Sequence, residues 1–270
     1  MTEAVGVIGA GRMGLPLIGH LARKGFATSA TDLNGSRKIE VERRGAAWAA
    51  TAPELAARCD VVLVCVGYDH ELRALLHEPA LRSAARPGSI YAVLSTVHPR
   101  TVQALAADCA KSSLHVIDAT MCRGGKAADE GTLLSFVGGE DALVERVRPV
   151  LAAFSSDIVH TGTVGSAQVA KAVNNLIMWA CLVADHEGLA LAEHYGVDVE
   201  KLRKALLISS AANNALANWG TQTMAWAEDD MAIVAEMAAD QGIALPQAGL
   251  TRELCRALKP RRHKLDQYGR

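Results

Sequence analysis

The chain has 270 residues, half of them apolar and 21% charged, with a formal net charge of −1. That length suits two domains with sizeable cores. The near-neutral balance argues against a dedicated nucleic-acid binder, because no basic run occurs before the last ten residues. That tail, Arg261-Arg262-His263-Lys264, is expected to be a solvated terminus. The six cysteines (59, 65, 109, 122, 181 and 255) form no Cys-x-x-Cys pair and read as small hydrophobes in a reducing compartment. The nine histidines show no metal-ligand spacing. The start does not resemble a signal peptide, and the best apolar run, Leu176 to Ala184, is too short for a bilayer. These features predict a cytoplasmic protein with no metal, membrane or nucleic-acid partner.

Val5 to Ile8 reads as a strand, followed by Gly9-Ala10-Gly11-Arg12-Met13-Gly14 and an amphipathic helix through Leu15, Leu17, Ile18 and Leu21. A Gly-x-Gly-x-x-Gly between a strand and a helix is the context in which this spacing signals a dinucleotide. Gly9 permits the tight turn, Gly11 lets a pyrophosphate approach the backbone, and Gly14 lets the helix pack on the sheet. Arg12 and Met13 complete the loop, where phosphates meet the helix N-terminus. Phe26 to Ala30 is a second strand, ending at Asp32, eighteen residues past Gly14. A carboxylate there bonds ribose hydroxyls and repels a 2′-phosphate, so NAD is favoured over NADP. Arg37 nearby works in the other direction.

Pro53 to Arg58 reads as a short helix, Asp60 to Val66 as a buried parallel strand, and Asp69 to Leu76 as a helix. Val66 ends this strand and Gly67 opens the loop at its carboxyl end, where both are expected to contact the cofactor. Ser89 to Leu94 is the next strand, with Ser95 and Thr96 at its carboxyl edge, where open α/β sheets bind ligands. Hydroxyls ahead of Pro99 also suit helix capping. Leu114 to Asp118, Thr132 to Val137 and Ile158 to His160 complete the sheet, with a helix from Glu140 to Phe154. Beyond Gly165 only helices are expected: Ala167 to His194, bent near Gly188, then Val199 to Ile208, Asn213 to Trp219, Asp229 to Ala239 and Pro246 to Leu258. The reading is therefore α/β. An N-terminal Rossmann doubly wound sheet (1–164) is followed by an all-α C-terminal domain (165–270), and the long helix suggests a homodimer or tetramer.

Near the start of that helix Lys171, Asn174 and Asn175 share one face. Such a face is either an amphipathic surface or the wall of an active site. Four ordered motifs bear on the choice: Gly9 to Gly14 with Met13; Ser95-Thr96-Val97 with Pro99; Asp118-Ala119 with Gly124 and Gly131-Thr132-Leu133; and Gly162, Gly165, Lys171 and Asn175. Together they resemble the β-hydroxyacid dehydrogenase family, which includes 3-hydroxyisobutyrate dehydrogenase and has the imine reductases as relatives. The resemblance covers nearly the whole chain.

It implies an NAD- or NADP-dependent enzyme for a small anionic substrate, an acidic 3-hydroxy acid or its semialdehyde. Thr96 would lie beside the nicotinamide, and Lys171 would be the proton donor and acceptor. Asn175 would hold the substrate, with Asn174 as second choice. The usual serine of the substrate loop is Cys122 here, which reads as a packing residue. The next residue, usually glycine, is Arg123. A glycine-flexible loop at 122–125, including Gly124, would offer N–H groups to an anion. Arg123 is then either an added clamp or a surface arginine. Asp229 stands where the family commonly has a lysine. Imine reduction, which the retained lysine disfavours, and a cofactor-binding homologue without turnover are the alternative readings.

Overall fold

Short runs of branched aliphatic residues build the centre of the sheet, because they fill a surface covered on both sides. The computed structural model describes residues 3–267. In chain order come β1 (Ala4–Ile8), α1 (Gly14–Arg23), β2 (Ala27–Thr31), α2 (Lys38–Arg43), β3 (Ala47–Trp48), α3 (Ala52–Ala56), β4 (Val61–Val64), α4 (Asp69–His77) and α5 (Pro79–Ala84). There follow β5 (Ile90–Val93), α6 (Pro99–Cys109), β6 (His115–Cys122), α7 (Gly124–Glu130), β7 (Leu133–Gly138), α8 (Asp141–Leu151) and β8 (Ser155–Gly162). The remaining helices are α9 (Ser166–His194), α10 (Val199–Leu206), α11 (Asn214–Ala217), α12 (Ala227–Asp240) and α13 (Pro246–Leu258).

The eight strands lie in the order β3-β2-β1-β4-β5-β6-β7-β8. Neighbours are parallel except β6 and β7. Val61 and Leu63 of β4 enter the core on one face and Val62 and Val64 the core on the other. All four are fully buried, and each such side chain contributes roughly 1.5–3 kcal/mol. The chain leaves β1 toward β2 and β3, then returns to β4 on the other side of β1. Open α/β sheets bind ligands at such a reversal, at the carboxyl ends.

The register aligns Thr31, Ile8, Val64, Val93 and Asp118 in one row across five strands. The expected strand ends at Asp118, yet β6 continues to Cys122 by pairing antiparallel with β7. The sheet is therefore mixed, and β6 overruns its parallel neighbour β5 by one short segment, 119–122.

Two compact units divide between Lys171 and Ala172. The first turns of α9 are bonded to the sheet and belong to the first unit. Within the helical unit Trp179, Leu182, Met231 and Cys255 form the core, and the Trp179 indole donates to buried Asp230 at 2.8 Å. Helix α9 runs through Gly188 as one helix. It is long and apolar enough by composition to cross a membrane, which corrects the expectation that no run qualifies. Gln168, Asn175 and His186 on the same helix are buried polar groups with hydrogen-bond partners.

In the basic tail Arg261, Arg262 and Lys264 are exposed as expected, whereas His263 is partly buried. His263 packs its ring 4.9 Å from Trp219 and 5.2 Å from His186, and Leu265 is buried. Residues 268–270 lie outside the described residues. The buried His186 ring is 2.8 Å from the Leu182 carbonyl through Nδ1, and its Nε2 accepts the His263 amide at 2.9 Å. That pairing assigns the neutral tautomer with the proton on Nδ1. Burial pulls its pKa down to about 4. The unfolded chain therefore binds the proton more readily, and stability present above pH 6.5 is lost as pH falls toward 4. The loss is about 2 kcal/mol at pH 5. Thermal melts between pH 7 and 4.5 should show wild type losing stability faster than His186→Gln; parallel pH dependence would contradict this.

Candidate active site

Three glycines shape the loop after β1, and two are fixed by close approach. A Cβ on Gly9, whose φ is +101°, would meet the Cys65 carbonyl oxygen at 2.2 Å, and one on Gly14 would meet the Gly9 carbonyl oxygen at 1.9 Å. Gly11 instead faces open space. A backbone turn with an open centre at a helix N-terminus fits a pyrophosphate. Asp32 braces this turn: its carboxylate accepts the Ala10 amide at 2.6 Å and the Asn34 amide at 2.8 Å. A carboxylate has about four acceptor positions, so capacity remains for ribose hydroxyls. The residues present therefore fit a dinucleotide.

The neighbouring loops are less open than expected. The Arg12 guanidinium makes two bonds to Asp129 of α7, at 2.9 and 2.7 Å. Its side chain is thus paired with a protein carboxylate at the surface. Met13 packs against the core of the sheet. The Val66 carbonyl accepts the Ser95 hydroxyl at 2.7 Å. The Gly67 and Tyr68 amides both donate to the Glu71 carboxylate, at 2.8 and 3.0 Å, so the Gly67 N–H is already engaged. Thr96 is half-buried between Ser95 and Val97.

The start of α9 is tied to the sheet by several hydrogen bonds. Asp118 is fully buried and its carboxylate accepts the amides of Gly165 at 2.8 Å and Gln168 at 2.9 Å. Burial pushes its pKa up against these amides, which pull it down. The helix dipole favours the anion at this end. Thr120 donates its hydroxyl to the Ala167 carbonyl at 3.0 Å. Gln168 bonds through both ends of its amide, accepting from the Val97 N–H at 3.0 Å and donating to the Ser95 carbonyl at 2.9 Å. One turn later, Lys171 Nζ donates to the Met121 carbonyl at 2.7 Å.

Sequence reasoning assigned no role to Gln168. The available signal was its spacing: residues 168, 171 and 175 fall at i, i+3 and i+7, one helical stripe. Asn175 is buried, and its carbonyl oxygen accepts the Asn174 amide at 3.0 Å. Asp229 is exposed on α12, and it is the adjacent Asp230 that is buried against Trp179.

The expected flexible loop at 122–125 is a strand end joined directly to a helix. Cys122 is buried and closes β6, Arg123 and Gly124 have φ of 81° and 73°, and α7 begins at Gly124. The Arg123 guanidinium bonds the Thr132 carbonyl at 3.0 Å, the Ser156 hydroxyl at 2.9 Å and the Asp157 carboxylate at 2.7 Å. Through these bonds Arg123 fastens the α7 turn to β8. The Ser156 hydroxyl and this guanidinium together hold the Asp157 carboxyl below the usual range.

Residues 4–162 match the profile of the NAD binding domain of 6-phosphogluconate dehydrogenase. Residues 165–267 match that of the NAD-binding domain of NADP-dependent 3-hydroxyisobutyrate dehydrogenase. The chain is 28% identical over 213 residues to 2-(hydroxymethyl)glutarate dehydrogenase of Eubacterium barkeri, covering 78% of this chain and 71% of that one. The structure of 3-hydroxyisobutyrate dehydrogenase from Mycobacterium tuberculosis, with L-serine, is similar at a TM-score of 0.87 and 23% identity, covering 96% and 94% of the two chains. An imine reductase variant from Myxococcus stipitatus in complex with NAD+ shares the fold at a TM-score of 0.71 and 20% identity, covering 96% and 95%. With both parts of the chain accounted for in order, it belongs to the β-hydroxyacid dehydrogenase family and is an NAD(P)-dependent dehydrogenase or reductase.

Proposed function

We propose that the protein interconverts a small acidic 3-hydroxy acid with its semialdehyde or keto form, using Lys171 as the proton donor and acceptor and NAD(H) in preference to NADP(H). The observation that carries this reading is the Lys171 ammonium held at 2.7 Å from the Met121 carbonyl, on the segment where β6 overruns β5. One of three N–H bonds is used for positioning, and the others can serve a substrate oxygen. As an ammonium, Lys171 protonates the carbonyl oxygen during reduction; as an amine it takes the hydroxyl proton during oxidation. Gly11, with the turn around it, and Asp32 would hold the dinucleotide, which when bound supplies hydride acceptance or donation. Asp32 supports NAD(H), since its charge opposes a 2′-phosphate. Asn175, one turn beyond Lys171, would orient the substrate.

With Arg123 committed to Asp157, the anionic group falls to backbone N–H groups and Asn175, which suits one carboxylate better than a dianion. Val173, Ile177 and Leu191 of α9 are each at least half exposed. We read this face as the contact of a homodimer or tetramer, and a monomer by light scattering at micromolar concentration would exclude it.

A panel of semialdehydes and imines followed at 340 nm with NADH and NADPH tests the proposal. Turnover of an acidic semialdehyde with NADH is expected, and Lys171→Ala should lower kcat by roughly 10²–10⁴ with cofactor binding kept. Reduction of imines alone, preference for NADPH, or a Lys171→Ala variant keeping more than about a tenth of turnover would each contradict a stated part. Arg123→Gly should leave KM within about threefold for monoanionic and dianionic substrates alike. The left-handed backbone at 123 suits glycine, and the lost ion pair is half-exposed. A rise in KM of tenfold or more confined to dianions would restore the clamp.

A further inference from the structure

We propose that Gln168 is a positioning residue that holds the segment carrying Thr96 in register with the helix turn carrying Lys171. For its effect on turnover this rests on the function proposed above; the geometry stands without it. The Gln168 side chain is 1% exposed, and both ends of its amide are bonded to the two residues that flank Thr96. Its own main-chain N–H is held by Asp118. Ser95 in turn donates its hydroxyl to the Val66 carbonyl. Segments following β4 and β5, together with the overrun of β6, are thereby referenced to two turns of one helix. Proton and hydride transfer need their partners placed within a fraction of an ångström, and a two-ended amide bridge supplies that constraint between the segments of Thr96 and Lys171.

The chemistry of this bridge restricts its replacement. The residue must accept from one N–H and donate to one C=O. Methionine has the length but cannot donate and accepts only weakly, and an ionised glutamate accepts but cannot donate. A neutral glutamic acid reproduces the amide pattern, and burial favours the neutral form. Gln168→Glu should therefore carry a pH signature that a general packing defect lacks.

The test uses the full chain with Gln168→Met and Gln168→Glu. Without dinucleotide, amide hydrogen exchange at Val97 should accelerate at least tenfold in Gln168→Met while Ile8, away from the bridge, is unchanged. With substrate and NADH, kcat of Gln168→Met should fall roughly ten- to a hundredfold at every pH, and KM should change less than threefold. In Gln168→Glu, kcat relative to wild type should recover as pH falls from 8.5 to 6. Unchanged Val97 exchange, a kcat within twofold of wild type in Gln168→Met, or a Gln168→Glu ratio that is flat with pH would each overturn the proposal. If the methionine variant does not fold, the pH dependence of Gln168→Glu decides the question. If wild type turns over nothing in the panel, the functional reading fails, while Val97 exchange still decides whether Gln168 holds the segment.

Discussion

A carboxylate sealed in the interior at the N-terminus of α9 is the constraint on which the site depends. Asp118 is inaccessible to solvent, and two helix amides satisfy its oxygens. Removing one of these hydrogen bonds leaves a buried group unsatisfied, which costs more than replacing both partners by apolar groups. The surroundings are shaped to admit it. Gly138 pairs with Asp118 across the antiparallel ladder, and a Cβ at 138 would come within 2.6 Å of the carboxylate. Gly165 has φ of +94°, and a Cβ there would press on the Gln103 amide at 2.8 Å. The first turn of α9 is thus tied to β6 through Asp118, with Gly138 of β7 and Gly165 leaving room for that carboxylate and for Gln103.

The antiparallel turn of the sheet supplies the other half of the geometry. Had β6 stopped with its parallel neighbour β5, the main chain would have left the sheet at Asp118. Pairing with β7 carries it on to Met121 and Cys122. The carbonyl of Met121 is then available to Lys171. Arg123, in a left-handed conformation, turns the chain into α7 and fastens that turn to β8. Arg12 and Asp129 tie the other side of α7 to the glycine loop. An arginine departing from the family pattern thus does scaffolding in a place where its charge suggested ligand binding.

The glycine loop was legible because close approach is written in residue type: nothing larger fits at Gly9 or Gly14. The spacing of Lys171 and Asn175 on one helix was equally plain. What the sequence could not disclose were partners distant along the chain. Asp157 lies 34 residues from Arg123, and Asp129 lies 117 from Arg12. Nor could the local turn chemistry at 123–125 reveal that β7 would prolong β6. His263 looked solvated among basic neighbours, yet its ring lies against Trp219 and its amide against His186. Gln168 went unassigned because a buried glutamine has no motif of its own; its meaning lies in two main-chain groups more than seventy residues away.

The account is tested most directly by amide hydrogen exchange at Gly165 and Gln168 in Asp118→Asn. The variant keeps the size of the side chain but leaves one oxygen to accept where two did. A hydrogen bond to a charged group contributes about 1.5–3 kcal/mol, so at least one of these amides should exchange roughly ten- to a hundredfold faster than in wild type. Equal protection of both amides in the two proteins would show that Asp118 does not hold the helix that presents Lys171.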